Sequence, residues 1–303
     1  VKLGFLTVAL GNLGLDETVK WASDQGFQAL EVGAWPIDNK RDYASSTLDV
    51  KNLDEKKANE FKELFKKYRI EISSLAYYDN NLDADLNVRN AHIDHLKKVI
   101  DAANLLGVKY VGTFIGRDIT KDVIGNMKEI EKVFPPIIEY AKRKKVEIMI
   151  ENCPMVGWQK EGVQGNLFYS PALWREIFEI LPDLKLNLDP SHLYWLDIDY
   201  VDVVNEFADK IVHTHAKDTQ ILQDGLYDNG IFGPLFKNGK GWWRYRLPGL
   251  GEIDWKSFIS ALYDNGYNGV ISIEHEDPVW EGSVEKVKKG LILGYRNLSP
   301  YII

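Results

Sequence analysis

Four short apolar runs in this sequence end on side chains that could share one chemistry. Val146–Ile150 runs into Glu151-Asn152-Cys153-Pro154, and Leu184–Leu188 into Asp189-Pro190-Ser191-His192. Ile211-Val212 runs into His213-Thr214-His215, and Val270–Ile273 into Glu274-His275-Glu276-Asp277. Such runs read as strands, with Pro and Ser marking a turn after Asp189. Side chains alternate along a strand, so Asp189 shares a face with Asn187, and His215 with His213. Glu151, Asp189, His215 and Glu274 therefore stand at the carboxyl ends of neighbouring parallel strands, where α/β proteins place their chemistry. One strand-end carboxylate is an ordinary solvated charge. Four such groups in register point to a site.

An oxygen-rich set with one nitrogen and no sulfur suits Mn²⁺ first, with Co²⁺ or Mg²⁺ as alternatives, better than a structural Zn²⁺. Four protein ligands leave room on a six-coordinate ion for two neighbouring oxygens of a hydroxycarbonyl. The ion would polarise the carbonyl and stabilise the enediolate left when the adjacent C–H loses its proton. A carboxylate at the edge of the site can remove and return that proton.

The elements that position these residues alternate along the chain. Strands are expected at Lys2–Thr7, Ala29–Val32, Ile70–Leu75 and Lys109–Thr113, then at the four runs above. Helices are expected at Asp16–Gln25, Asn52–Tyr68, Asn87–Leu106 (closed by Gly107), Asn126–Lys145, Tyr200–Ala208, Asp254–Tyr263 and Ser283–Asn297, with another capped by Ser170-Pro171. Pro135-Pro136 should break or kink the helix that contains them. After His215 comes a long insertion, Lys217–Leu250, rich in Gly and in aromatics: Tyr227, Phe232, Phe236, Trp242, Trp243 and Tyr245. Eight strands alternating with eight helical segments predict an α/β fold. It is a single (β/α)₈ TIM barrel over residues 1–303, with the insertion after strand 7. A doubly wound open sheet is the rival, but no glycine-rich phosphate turn follows the first strand.

Bulk properties narrow the partners. At 303 residues and 45% hydrophobic content the chain can bury a large core, and its formal charge of −8 argues against nucleic acid or an anionic membrane. No apolar run approaches the ~20 residues of a transmembrane span. The opening VKLGFLTVALGN reads as a strand and a Gly turn, with neither a basic leader nor a cleavage site. Cys153 is the single cysteine, so no intrachain disulfide forms and a reducing cytoplasm is the expected location. Nine Trp, fifteen Tyr and twelve Phe exceed what a core requires, so some should line a pocket.

These motifs resemble the xylose-isomerase-like TIM-barrel superfamily, the sugar phosphate isomerase/epimerase family, over essentially the whole chain. The resemblance rests on IENCP at 150–154, NLDPSH at 187–192, HTHAKD at 213–218, RLPGLGEIDW at 246–255 and SIEHED at 272–277. It implies that Glu151, Asp189, His215 and Glu274 bind one divalent metal ion, with Glu151 and Glu274 also acting as acid and base on opposite substrate faces. It implies substrate contacts from His192 and from a basic residue before the Pro-Gly turn, Arg246 or Arg244. The expected activity is that of a divalent-metal-dependent isomerase or epimerase of a keto-sugar or related polyol ketone. The alternative is a lyase of the same fold, inosose dehydratase-like or cleaving 3-keto C-glycosides. Endonuclease IV and a non-catalytic subunit are more distant readings. Homo-oligomers are frequent in the superfamily, so a homo-oligomer or a partner subunit is the expected assembly.

The chain departs from the well-known epimerases in Lys217-Asp218 and in the length of its insertion. Lys217 is therefore a candidate substrate contact, and Trp242 or Trp243 could stack on a sugar face or an aglycone. Glu31 and Trp35, at the end of the second strand, should close the pocket. His213 should be a hydrogen-bonded residue one layer below His215. His275 should point out of the barrel, His92 and His95 should sit on a helix surface or interface, and Cys153 should face away from Glu151. No glycine-rich phosphate cup follows strand seven or eight, which favours a non-phosphorylated sugar.

Overall fold

A computed structural model describes residues 1–38, 46–156, 163–232 and 241–303, and in it eight parallel strands close on themselves. They are β1 (Lys2–Leu6), β2 (Ala29–Gly33), β3 (Glu71–Ala76), β4 (Tyr110–Thr113), β5 (Glu147–Glu151), β6 (Lys185–Leu188), β7 (Ile211–Ala216) and β10 (Val270–Ile273). Neighbours in sequence are neighbours in space, and β10 closes the ring between β7 and β1. The strands read as short Val/Ile/Leu-rich runs because a parallel sheet wrapped in helices is buried on both faces. The register then levels the polar side chains: Glu151 pairs with Asn187, Asn187 with His213, and Ser272 with His215.

Helices cover the outside: α1 (Leu15–Asp24), α2 (Glu55–Tyr68), α3 (Leu86–Leu106), α4 (Val123–Arg143), α5 (Pro171–Ile180), α6 (Pro190–Trp195), α7 (Tyr200–Phe207), α9 (Trp255–Asp264) and α10 (Val284–Leu298). Their starts are marked by Asp and Ser side chains that accept orphan amides. Asp54 takes Lys57 N–H, Asp122 takes Gly125 N–H and Ser283 takes Lys286 N–H. Gly107 ends α3 in the left-handed region, φ 74°.

Two local expectations are corrected. Pro135 and Pro136 do not break α4, which runs unbroken from Val123 to Arg143. Both prolines, and Glu131 and Lys132 whose carbonyls lose their helical donors, lie on the exposed face, where those carbonyls are open to solvent. The segment after Asp189 is the short helix α6 rather than a turn, with Asp189 as cap and Pro190 in the first helical position. The insertion has regular structure of its own. It holds an antiparallel ribbon of β8 (Asp218–Ile221) and β9 (Trp243–Arg246), joined through α8 (Gln223–Asn229). Phe236 lies outside the described residues.

The ribbon is fastened at its root by one carboxylate. Asp218 Oδ1 accepts from Thr219 N at 2.8 Å and Ile253 N at 3.0 Å, and Oδ2 from Gly249 N at 2.8 Å and Trp255 Nε1 at 2.9 Å. Arg246 Nε donates to the fully buried Asp277 at 2.8 Å, tying β9 to the loop after β10. Asp218→Ala would strand several buried donors at once. The expected loss is on the order of 3 kcal/mol, read from the urea or thermal midpoint. A loss under ~1 kcal/mol would show that the staple is incidental.

Candidate active site

The end of β5 is shaped by its neighbours before Glu151 does anything. Asn152 is buried and clamps β6: its Nδ2 donates to Asp189 O at 2.9 Å, and its Oδ1 accepts from Asp189 N at 2.7 Å. Asn166 Nδ2 donates to Glu151 O at 3.2 Å and Cys153 O at 2.8 Å. Asp189 in turn uses Oδ1 to cap α6 through Ser191 N at 2.8 Å, which turns Oδ2 inward. The NCP and DPS segments are therefore positioning devices as much as motifs.

One layer below the cavity lies a closed hydrogen-bonded network. Burial pushes His213 down to about 4, so its ring is neutral. Its Nδ1 lies 2.9 Å from Asn187 Oδ1, an acceptor, so Nδ1 carries the proton and Nε2 accepts from Ser73 Oγ at 3.1 Å. Asn187 Nδ2 donates to the Tyr78 hydroxyl at 2.8 Å, which donates to Glu31 Oε1 at 2.7 Å. Gly112 leaves space for that phenol, since a Cβ there would stand 2.3 Å from the Tyr78 oxygen. Burial pushes Glu31 up, but His215, His213 and the Tyr78 hydrogen bond together hold it down at about 2. Glu31 is thus a carboxylate, and it takes the Nε2–H of His215 at 2.8 Å and Ser272 Oγ at 3.2 Å. Asn187 Nδ2 also stands 3.0 Å from His215 Nε2, but the ionised Glu31 fixes the proton there.

With Nε2 committed, His215 turns Nδ1 toward the upper cluster. It stands 3.1 Å from Glu274 Oε2 and 3.7 Å from Glu151 Oε1, without hydrogen-bond geometry to either. Glu151, Asp189, His215 and Glu274 each present one ligand atom, all within 4.8 Å of one another. His215 Nδ1 and Asp189 Oδ2 are both buried and lack hydrogen-bond partners. Three carboxylates and one imidazole converging in this way fit a divalent cation, and these four residues could hold one. Burial opposes a charge on His215, yet Glu31 and Glu274 raise it well above an ordinary histidine. Proton and cation therefore compete for Nδ1.

Two further cationic groups meet the cluster. Lys217 is 2% exposed, with Nζ 2.7 Å from Glu274 Oε2, 3.3 Å from Asp189 Oδ2 and 3.3 Å from Glu276 Oε2, and it lies over the Tyr245 ring. Burial pushes Glu274 up, but Lys217 and His215 outweigh it and hold the carboxyl well below its usual range. His192 is fully buried, with Nε2 3.2 Å from both Glu151 Oε1 and Asp189 Oδ2, and Nδ1 2.9 Å from the Tyr245 hydroxyl. Above lies a cavity of about 370 Å³. It is lined by the polar Glu151, Cys153, Lys217, Glu274 and Glu276 and by apolar side chains that include Trp35, Tyr78, Phe114 and Met155.

The structure brings together Glu151, Asp189, His192, His215, Lys217 and Glu274, and places Trp35 in the cavity wall. Arg246 and Trp242 do not line it. Arg246 is held by Asp277 and by Gln220 Oε1 at 3.0 Å, while Trp242 packs edge-on against Trp195, which stacks on Trp243 at 4.7 Å. Glu31 lies beneath the site, braced against His215. Cys153 faces the cavity, because residues two apart on an extended chain share a side. The same spacing from Glu274 would have found Glu276. His275 turns its ring outward, as expected, with Nε2 against Gly290 of α10. His92 and His95 pin loops instead of standing free, at 2.8 Å from Asn80 O and from Ala34 O. Tyr245 had no signal in the sequence, since its approach to His192 depends on how the ribbon folds back.

A family model described as a xylose isomerase-like TIM barrel matches residues 19–292. The chain is 28% identical over 302 residues to the uncharacterized protein YfiH of Bacillus subtilis (strain 168), covering 91% of this chain and 93% of that one. It is 34% identical over 117 residues to an inosose dehydratase of Lacticaseibacillus casei, a match spanning 36% of this chain and 38% of the dehydratase. Among solved structures, an IOLI protein with a bound zinc atom superposes with a TM-score of 0.72 at 21% identity, covering 100% of this chain and 99% of that one.

Glu31→Gln keeps the size of the side chain and removes the charge that fixes the His215 proton. It should weaken Mn²⁺ binding, measured by calorimetry, roughly 10–100-fold with the fold intact. Unchanged affinity would mean that Glu31 does not set the imidazole.

Proposed function

The chain belongs to the xylose isomerase-like TIM-barrel family, and from that premise we propose that it is a divalent-metal-dependent isomerase or epimerase of a keto-sugar or related polyol ketone. The observation that carries this reading is the convergence of Glu151, Asp189, His215 and Glu274, whose ligand atoms all lie within 4.8 Å of one another. Bound there, a divalent ion supplies Lewis acidity for a carbonyl and a neighbouring hydroxyl, with Mn²⁺ best suited to the oxygen-rich set.

The chain's own groups do the rest. Glu151 and Glu274 face the cavity from β5 and from the end of β10, and they exchange a proton with a carbon held between them. Glu151 has His192 at 3.2 Å, a donor that can follow the carboxylate through its change of protonation. Lys217 keeps Glu274 ionised and so able to receive a proton, while lowering its basicity until the ammonium turns to a substrate oxygen. His192 and Lys217 offer N–H donors to substrate oxygens, and Trp35, Tyr78 and Phe114 cover the apolar face and exclude water. Arg246 and Trp242 take part by holding the ribbon that carries Tyr245.

A second reading, loss of water β to a carbonyl, is favoured by Lys217. Its ammonium stands between Glu274 and Glu276 at the cavity wall, where it could hydrogen-bond a departing hydroxyl. The local identity to inosose dehydratases points the same way.

Incubation in D₂O with ketoses, keto-inositols and 3-keto-glycosides should give carbon-bound deuterium that a chelator abolishes and Mn²⁺ restores. Exchange persisting in protein shown by elemental analysis to be metal-free would contradict the proposal. Glu151→Gln and Glu274→Gln should each lower exchange by about 10²–10⁴-fold while folding is retained. Near-normal exchange in either metallated variant removes that carboxylate from the proton path. Product mass separates the readings, since an isomerase conserves it and a dehydratase loses water.

A further inference from the structure

Cys153 plays no part in the chemistry above, yet its side chain lines the cavity. Its Sγ, a carboxylate oxygen of Glu151 and a ring nitrogen of His192 lie within 4.8 Å of one another. That is a sulfur, oxygen and nitrogen donor set, softer than the Glu151, Asp189, His215 and Glu274 group, which it meets at Glu151. The frame is rigid: Asn166 holds the Cys153 carbonyl at 2.8 Å, and His192 sits in the first turn of α6. The Tyr245 hydroxyl engages His192 Nδ1 at 2.9 Å, so Nε2 is the ring nitrogen turned to Glu151. The Asp189 carboxylate borders the cluster and holds His192 in place. Asp189 Oδ2 is fully buried, has no hydrogen-bond partner, and stands 3.2 Å from His192 Nε2 and 3.3 Å from Lys217 Nζ. Met155 Sδ, 3.3 Å from Sγ, adds a second sulfur on the same side.

We propose that Glu151, Cys153 and His192 form a second, thiolate-bearing cation subsite for a thiophilic divalent ion of the zinc class. It rests on the reading of the first cluster as a metal centre, with Glu151 as the shared carboxylate, as in two-metal sites whose ions stand ~3.5–4 Å apart. Binding releases the thiol proton to solvent and places the sulfur lone pair on the ion, with no change of oxidation state. Three protein donors leave an open position toward the cavity. Mn²⁺, which prefers oxygen, is excluded by the sulfur.

The test uses the full chain, stripped of metal, beside Cys153→Ser. Each is loaded with Zn²⁺ or Mn²⁺, passed through gel filtration and analysed for bound metal. The unsubstituted protein should keep about two zinc ions and about one manganese per chain, and Cys153→Ser about one of each. Titration with Co²⁺ should give a near-ultraviolet thiolate-to-cobalt charge-transfer band in the unsubstituted protein, absent from Cys153→Ser. Equal zinc content in the two proteins, or no such band, overturns the subsite. Failure of the first metal centre reads differently, as loss of manganese from both proteins. The cobalt band needs no variant, so a folding defect in Cys153→Ser does not blunt the test.

Discussion

Buried negative charge at the carboxyl ends of β2, β5, β6 and β10 is the constraint from which the rest of the site follows. Glu31 and Asp189 are fully buried and Glu151 is 2% exposed. Taking such a carboxylate out of water costs several kcal/mol unless charge or hydrogen bonds replace the solvent. Glu31 is answered by His215, Tyr78 and Ser272. Half of Asp189 is answered by the start of α6, and Glu274 by Lys217. The inward Asp189 oxygen is met by the Lys217 and His192 cations at 3.3 and 3.2 Å, without hydrogen-bond geometry. A divalent cation held by Glu151, Asp189, His215 and Glu274 would complete the cluster by replacing the protons that now balance it.

That arrangement explains why the layer beneath the site is polar. A hydrophobic layer there would let the His215 ring turn and would leave either nitrogen free to carry the proton. The chain Ser73–His213–Asn187–Tyr78–Glu31 leaves one proton arrangement open at each step, ending with the Nε2 proton of His215 on Glu31 and Nδ1 turned to the upper cluster. The ribbon adds a second brace from above. Asp218 and the Arg246–Asp277 pair fix its root, which brings the Tyr245 ring against Lys217 and its hydroxyl against His192. The insertion thus acts on the site through one tyrosine, while its tryptophans pack on Trp195.

Much of this was legible before any coordinates. The barrel followed from the alternation of short apolar runs with amphipathic segments, and strand-end geometry alone placed Glu151, Asp189, His215 and Glu274 together. His213 was legible too, since period-two alternation sets it one layer below His215. The misses have physical causes. Pro135-Pro136 stays helical because its lost hydrogen bonds face water, which no local rule can see. Glu31 was read as a rim residue because its partners lie on β3, β7 and β10, far away in sequence. Cys153 and Glu276 were within reach, since each stands two residues after a glutamate of the cluster on an extended segment. Tyr245 was not, because a ribbon's fold-back is set by contacts of Asp218 that span more than thirty residues.

The most direct test of the central claim is anomalous X-ray diffraction at the manganese edge from crystals of the protein grown with Mn²⁺. One strong peak is expected, ligated by Glu151, Asp189, Glu274 and the Nδ1 of His215, with Nε2 still on Glu31. No peak at the cluster in well-ordered crystals, or a peak ligated through Nε2 of His215, would contradict the account.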